Sequence, residues 1–138
     1  MQLVVDANIL FSALIKDSET RFLLLNTKLE LFSPEFLLNE VKKHILSDGK
    51  VREKILLSDS EISEIISVLL AKIKVLDKES YSNFLNESLR LIEDEKDAPY
   101  LALSIKLCVP LWSEDKGFKK QFKVKVFSSS ELFKELSK

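Results

Sequence analysis

The chain has 138 residues, of which 46% are hydrophobic and 31% charged, with 2 glycines and 3 prolines; this predicts one soluble, helix-rich domain over residues 1–138. No apolar stretch approaches the roughly 20 residues needed to cross a bilayer, and the N-terminus lacks a secretion signal, so we expect a cytoplasmic protein without membrane contact. The net charge of -1 does not indicate a nucleic-acid-binding protein overall, and the single cysteine, Cys108, excludes disulfide scaffolds and cysteine-rich zinc sites.

The first half of the chain alternates strand and helix patterns. Residues 3–5 form a continuous apolar run that ends at Asp6, which is typical of a strand buried on both faces of a parallel sheet. Apolar residues at helical spacing follow from Ile9 to Leu14. The next predicted elements are a helix over 19–26, a strand over 29–32, a helix with Pro34 in its first turn running to about Leu46, a helix opened by the capping box Ser58 and Glu61, and a strand over 73–76.

The second half continues the alternation. Predicted in order are a helix over 84–92, a helix started by Pro99, a strand over 108–112, a strand over 124–127, and a terminal helix opened by a second capping box, Ser128 and Glu131. Cys108 lies in an apolar run, and we expect it to be a small buried side chain rather than a nucleophile. Five strands interleaved with helices predict an α/β fold with a parallel sheet covered on both faces.

Acidic side chains beside the ends of apolar runs are the candidates for a functional site, because sites of open parallel sheets lie outside the carboxyl ends of the strands. Asp6 follows the first predicted strand, and Asp115 follows the fourth. Asp97 precedes the helix that Pro99 starts, and Glu40 interrupts the apolar face of the third helix. Each aspartate also suits a helix N-terminus, and Glu40 a solvated flank, so each has a purely structural interpretation as well.

Several carboxylates in one crevice raise each other's pKa unless a cation lies between them. Such a cluster favours Mg²⁺ or Mn²⁺, which take oxygen ligands and can activate a bound water. The chain has no competing set of histidines and cysteines, since His44 and Cys108 are the only ones. We expect His44 at the surface or beside a ligand rather than among the ligands.

In order and spacing these acids resemble the PIN-domain nucleases. That family has an Asp at the end of the first strand in a D-x-N or D-x-S turn, a Glu on a following helix, an Asp opening a later helix and an Asp just after the fourth strand. The matching segments here are Val4-Val5-Asp6-Ala7-Asn8, Glu40 within 34–41, Asp97 within 94–104, and Ser113-Glu114-Asp115. The agreement extends over essentially the whole chain, which makes it far more specific than a single D-x-N turn.

The resemblance implies a three-layer α/β/α sandwich whose five-stranded parallel sheet has the order 3-2-1-4-5. It also implies metal-dependent endonucleolytic cleavage of RNA, as in the VapC-like toxins of toxin-antitoxin pairs. Carried over by position, it makes Asp6, Glu40, Asp97 and Asp115 the catalytic metal-binding carboxylates, with Asn8 and Ser113 in support. Asp94 is either a further ligand, a cap partner or an exposed loop acid, and the last two together are favoured.

The sequence departs from the family pattern at Glu114, where a neutral residue is frequent; its carboxylate either binds metal or points away. Five lysines follow within ten positions, and we take Lys116, Lys119 and Lys120 as candidate nucleic-acid contacts. A solvated loop and strand edge protected by lysine explains this run at least as well.

Two further expectations concern activity and assembly. The alternative to a nuclease is a catalytically inactive PIN fold kept as an RNA- or protein-binding scaffold, although the complete acidic set argues against it. We expect a homodimer and consider an antitoxin partner. Apolar positions on the helices between Phe22 and Leu57 suit either contact, but core packing explains each of them by default.

Overall fold

The structure of the chain, a computed structural model, describes residues 1–15, 19–37, 39–41, 43, 49, 53 and 55–138. The strands are β1 (Gln2–Val5), β2 (Glu30–Pro34), β3 (Ile73–Leu76), β4 (Leu111–Trp112) and β5 (Val126–Phe127). The helices with described bounds are α1 (Ala7–Ile15), α2 (Glu19–Leu24), α3 (Asp59–Ala71), α4 (Lys78–Tyr81), α5 (Leu85–Leu91), α6 (Ala98–Leu107) and α7 (Ser129–Leu136). Two 3₁₀ helices cover Ser82–Phe84 and Lys116–Lys120.

The five strands form one parallel sheet in the order β3-β2-β1-β4-β5, which confirms the prediction. The central strand β1 has Leu3, Val4 and Val5 fully buried. Because successive side chains of a strand point to opposite faces, this burial requires cover on both faces of the sheet. The architecture is therefore the predicted sandwich of a sheet flanked by helices.

Local signals placed most helices correctly. Ser58 and Glu61 form the predicted capping box of α3, and Ser128 and Glu131 form that of α7. Pro99 lies in the first turn of α6, where its missing N–H leaves no helical bond unmade. Within the described residues, no helix is both long and apolar enough to span a membrane.

The prediction for Pro34 is wrong. It is the last residue of β2, where it is buried and pairs with Leu76 of β3. The end of a strand tolerates proline because the ladder bond passes to the next residue, and the Glu35 N–H donates to the Leu76 carbonyl at 2.9 Å. Leu37 and Glu40 are helical, but His44 and the predicted helix end at Leu46 lie outside the described residues.

The prediction for Cys108 is also wrong. It is exposed and ends α6 in the left-handed conformation, with φ of 57°, so the fourth strand begins only at Leu111. Its N–H bonds back to the carbonyls of Ser104 and Ile105, which reverses the chain and directs it toward the sheet. Apolar residues in this tight turn mimic the start of a buried strand.

Other elements are shorter than predicted at their ends. The helix over 19–26 ends at Leu24, and the helix over 84–92 begins at Leu85 after a 3₁₀ turn and ends at Leu91. The last strand begins at Val126 rather than at residue 124. Val124 is still buried, but its N–H bonds to the Gln121 side chain instead of to a neighbouring strand.

Candidate functional site

The candidate site lies at the carboxyl edge of the two central strands. Val5 of β1 pairs with Trp112 of β4, so the residues that follow them, Asp6 and Ser113, lie side by side. Both are buried, and the Ser113 hydroxyl donates a short hydrogen bond to Oδ2 of Asp6. Oδ1 of Asp6 accepts the Ile9 N–H at 3.2 Å, which caps α1. The predicted strand-to-helix junction thus holds a fixed, buried carboxyl group.

Burial raises the pKa of Asp6 to about 7. The hydrogen bonds from Ser113 and Ile9 favour the ionised form, but they do not offset the loss of hydration. The negative charges of Asp97 and Asp115 raise the pKa further. A cation beside Asp6 would therefore stabilise the ionised form of its carboxyl group.

Asp97 stands immediately before α6 but makes no side-chain hydrogen bond to cap it. The pKa of Asp97 is raised to about 7, and partial burial is the largest cause. The negative charges of Asp115, Asp94 and Glu40 raise it further. The carboxyl group of Asp97 thus interacts with the other acids rather than with its own helix. The purely structural interpretation of Asp97 as a helix cap is wrong.

Asp115 caps a helix, which is the structural role considered for it, and it also bonds to a residue beside Asp6. It caps the 3₁₀ helix Lys116–Lys120, where its carboxylate accepts the Gly117 N–H at 2.8 Å. Its own N–H donates to the Ser113 hydroxyl at 2.9 Å, so that hydroxyl links Asp115 to Asp6. A Cβ at Gly117 would lie 3.1 Å from Oδ1 of Asp115, which explains the glycine at this close approach.

Glu40 joins the cluster through a residue that the sequence analysis missed, Tyr100. The Tyr100 hydroxyl donates to Oε2 of Glu40 at 3.4 Å, across 60 positions of the chain. Burial raises the pKa of Tyr100 above its ordinary range, and the charges of Glu40 and Asp6 raise it further. Phe36 packs edge-on against the Tyr100 ring, with the ring centroids 5.3 Å apart. Helical spacing could have indicated Tyr100, because it follows Asp97 by three residues at the start of α6 and residues three apart are neighbours on a helix.

The remaining predicted residues are less central. Asn8 is exposed in the first turn of α1. Asp94 is exposed and its Oδ1 accepts the Lys96 N–H at 2.9 Å, so it stabilises its own loop while its charge still acts on Asp97. Glu114 points away from the acids, because its Oε1 accepts the Ser129 N–H at 2.6 Å at the start of α7.

The position of Glu114 predicts a structural rather than a metal-binding effect. In Glu114→Gln we expect the midpoint of thermal unfolding to fall by about 1–4 °C, because a carboxylate at a helix N-terminus contributes about 0.3–1 kcal/mol. Calorimetric titration with Mn²⁺ should give an unchanged affinity. A tenfold loss of Mn²⁺ affinity would instead make Glu114 a ligand.

The lysines near the site differ in their contacts. Lys119 forms a close ion pair with Glu131, and this hydrogen bond lowers the pKa of Glu131 to about 2. Lys116 is exposed. Lys120 lies 4.0 Å from Glu93 and lines a pocket of about 350 Å³ that also includes Asp97 and Asp115. Of the three lysines predicted to contact nucleic acid, Lys120 thus shares a pocket with Asp97 and Asp115.

The donor set of the site suits a hard divalent cation. Within the described residues, no three Asp, Glu, His or Cys side chains converge closely enough to hold a metal ion as they stand. The negative charge of Asp115 raises the pKa of Asp97, because two ionised carboxyl groups this close repel each other. A divalent cation offsets the same repulsion without a proton, and Mg²⁺ or Mn²⁺ prefers these oxygen ligands. The residues therefore fit such an ion.

Comparisons with known proteins agree with this architecture. The sequence profile of the PIN domain matches residues 4–136. PAE2754 from Pyrobaculum aerophilum superposes with a TM-score of 0.72 at 15% identity, covering 99% of this chain and 90% of that chain. VapBC2 from Rickettsia felis, bound to a DNA fragment from their promoter, gives a TM-score of 0.64 at 15% identity, covering 93% of this chain and 98% of that chain. At such identities the likeness concerns the fold alone, and none of the curated proteins matches the chain.

Proposed function

The chain belongs to the PIN-domain family, and from this premise we propose that it is an endoribonuclease that uses Mg²⁺ or Mn²⁺ to cleave RNA phosphodiester bonds. PIN domains are in general nucleases that use divalent metal ions. The observation that carries the proposal is the link between Asp6 and Asp115, which both bond to the Ser113 hydroxyl at the carboxyl edge of the sheet. Asp97, from a third segment, lies near enough that its charge and that of Asp115 raise the pKa of Asp6.

Asp6, Asp97 and Asp115 would hold the cation, and Glu40 would complete the site from the helix facing α6. A bound divalent cation supplies an acidified water and neutralises charge that develops on the phosphate. Ser113 keeps Asp6 and Asp115 in register through its hydroxyl. Tyr100 orients Glu40 through its own hydroxyl. These hydrogen bonds fix the ligands before substrate arrives, which limits the reorganisation needed during reaction.

Two observations support a role as the toxin of a toxin-antitoxin pair. The solved structure of VapBC2 contains a protein of this fold within an assembly. Here, large apolar side chains are exposed at Phe22 of α2, at Leu25 directly after α2 and at Val68 of α3. An antitoxin helix or a second copy of the chain would cover such residues. Sedimentation at several concentrations tests the homodimer, and a monomer at every concentration would contradict it.

The test of the function is cleavage of single-stranded RNA by the purified chain with Mg²⁺, with Mn²⁺ and with a chelator. We expect cuts within the RNA only when a divalent ion is present, and a calorimetric signal for the same ion without RNA. Glu114→Gln is the matched control, since it removes a neighbouring acid that points away from the site. Metal binding without cleavage of any RNA or DNA would contradict the nuclease and favour the scaffold.

A further inference from the structure

Phe122 is the most exposed large apolar side chain among the described residues. It leaves 96% of its surface in water, followed by Leu56 with 94%, and it is the most exposed aromatic ring among these residues. It lies between the 3₁₀ helix Lys116–Lys120 and β5, seven positions after Asp115. The Phe122 ring is not part of the core, so its whole face is free to contact a ligand.

Hydrogen bonds from the neighbouring Gln121 side chain fix the backbone around Phe122. The buried Gln121 side chain donates from Nε2 to the carbonyls of Phe118 and Val124, each at 2.8 Å. Its Oε1 accepts the Val124 N–H at 2.9 Å. Phe118 and Val124 are themselves buried on either side. These contacts fix the backbone on both sides of Phe122, whose ring lies in solvent.

Positive charge flanks the ring on both sides. Lys120, two residues before it, lines the pocket that includes Asp97 and Asp115. Two residues span at most about 7 Å, so Phe122 lies close to that pocket. Lys123 follows Phe122 directly and lies 3.2 Å from Glu87. Both lysines are in exposed ion pairs, which contribute little and are readily exchanged for phosphate contacts.

We propose that Phe122 stacks on an unpaired base of the RNA substrate while Lys120 and Lys123 bind the phosphates on either side. The proposal rests on the proposed function and adds to it a position that binds one unpaired base. An exposed aromatic ring between lysines is the combination that binds single strands, since every base offers a face for stacking once it is unpaired.

The test measures binding of a fluorescent 12-nucleotide single-stranded RNA by anisotropy, with a chelator present so that cleavage does not interfere. We expect Phe122→Ala to weaken binding about 5- to 150-fold, and Phe122→Trp to retain it, because loss of one stacked base has an effect of that size. Phe122→Ala should leave the slope of affinity against salt concentration unchanged. Lys120→Gln should reduce that slope by about one phosphate contact.

Two controls isolate stacking from other effects. Phe133→Ala removes a different exposed phenylalanine, on α7, and should bind as the native chain does. Duplex RNA of the same sequence offers no unpaired base, so its binding should not respond to Phe122→Ala. Equal binding of single-stranded RNA by the native chain and Phe122→Ala would overturn the proposal, and so would an equal loss for single-stranded and duplex RNA.

Failure of this proposal is distinguishable from failure of the proposed function. If the native chain cleaves RNA and Phe122→Ala binds it equally well, only the stacking proposal fails. If the native chain binds single-stranded RNA through Phe122 but never cleaves it, only the nuclease fails. Absence of any RNA binding by the native chain overturns the stacking proposal directly.

Discussion

Asp6→Asn is expected to abolish metal-dependent RNA cleavage and at the same time to stabilise the metal-free protein. Loss of a carboxylate ligand removes several kcal/mol of charge stabilisation, which corresponds to at least about a 100-fold fall in the cleavage rate. The stabilisation has a separate cause. Asp6 is buried with its pKa raised to about 7, so at pH 8 the folded protein carries an ionised carboxylate at a site that disfavours it.

The asparagine fits the hydrogen bonds that Asp6 makes. Its amide oxygen can accept the Ile9 N–H and keep the cap of α1. Its amide nitrogen donates to the Ser113 hydroxyl, whose oxygen also accepts the Asp115 N–H. At pH 8 the raised pKa of Asp6 corresponds to at most about 4 kcal/mol of lost stability, and imperfect replacement of its hydrogen bonds reduces the expected gain to about 1–3 kcal/mol.

Thermal unfolding at pH 8 with a chelator, beside the cleavage assay, measures both effects in one pair of proteins. Glu114→Gln serves as the control, because it removes a neighbouring negative charge without entering the cluster. A destabilised Asp6→Asn would show that the carboxylate contributes more as a helix cap than it loses through burial. Full activity in a folded Asp6→Asn would remove Asp6 from the metal site.

The sequence was most informative where short-range rules decide the structure. The apolar run before Asp6 identified the central strand, and Ser128 with Glu131 identified the start of α7, because a buried strand and a capping box are each encoded within a few residues. Pro34 and Cys108 were assigned wrongly for the opposite reason. Proline suits a strand end as well as a helix start, and the exposure of Cys108 depends on how α6 turns toward the sheet.

Contacts between residues far apart in the sequence could not be predicted from local patterns. Glu114 and Asp115 are adjacent acids after the same strand, yet one binds the start of α7 and the other joins the site. No local rule separates them, because the difference depends on where α7 packs. The same holds for the hydrogen bond of Tyr100 to Glu40. Such contacts become visible only when the segments are placed in space.

The stability of the metal-free protein is expected to fall as the pH rises from about 4 to about 8. The pKa values of Asp6 and Asp97 are raised to about 7 in the folded protein, whereas an unfolded chain titrates these groups near 4. Across this interval the folded state therefore binds more protons than the unfolded state. The stabilisation is complete below the unfolded pKa and is lost as the pH passes the folded pKa. Glu131 acts oppositely below about pH 4.5, because its pKa is lowered to about 2.

A divalent cation competes with these protons and should reverse the trend. The midpoint of thermal unfolding should fall by about 5–15 °C between pH 5 and pH 8 in a chelator, since about 1 kcal/mol shifts it by a few degrees in a chain of this size. Mn²⁺ at about 100 times its dissociation constant should restore about 2.7 kcal/mol at pH 8 and much less at pH 5, where the ligands hold protons.

Two variants test whether the acidic cluster causes this dependence of stability on pH. In Asp6→Asn the fall between pH 5 and pH 8 should shrink, because Asp97 is then the one described carboxyl group that still has a raised pKa. Glu114→Gln should keep the full fall, since its carboxylate lies at the start of α7. An Asp6→Asn profile parallel to that of the native chain would mean that other groups produce the pH dependence. The cluster would then not be the place where protons and divalent ions compete.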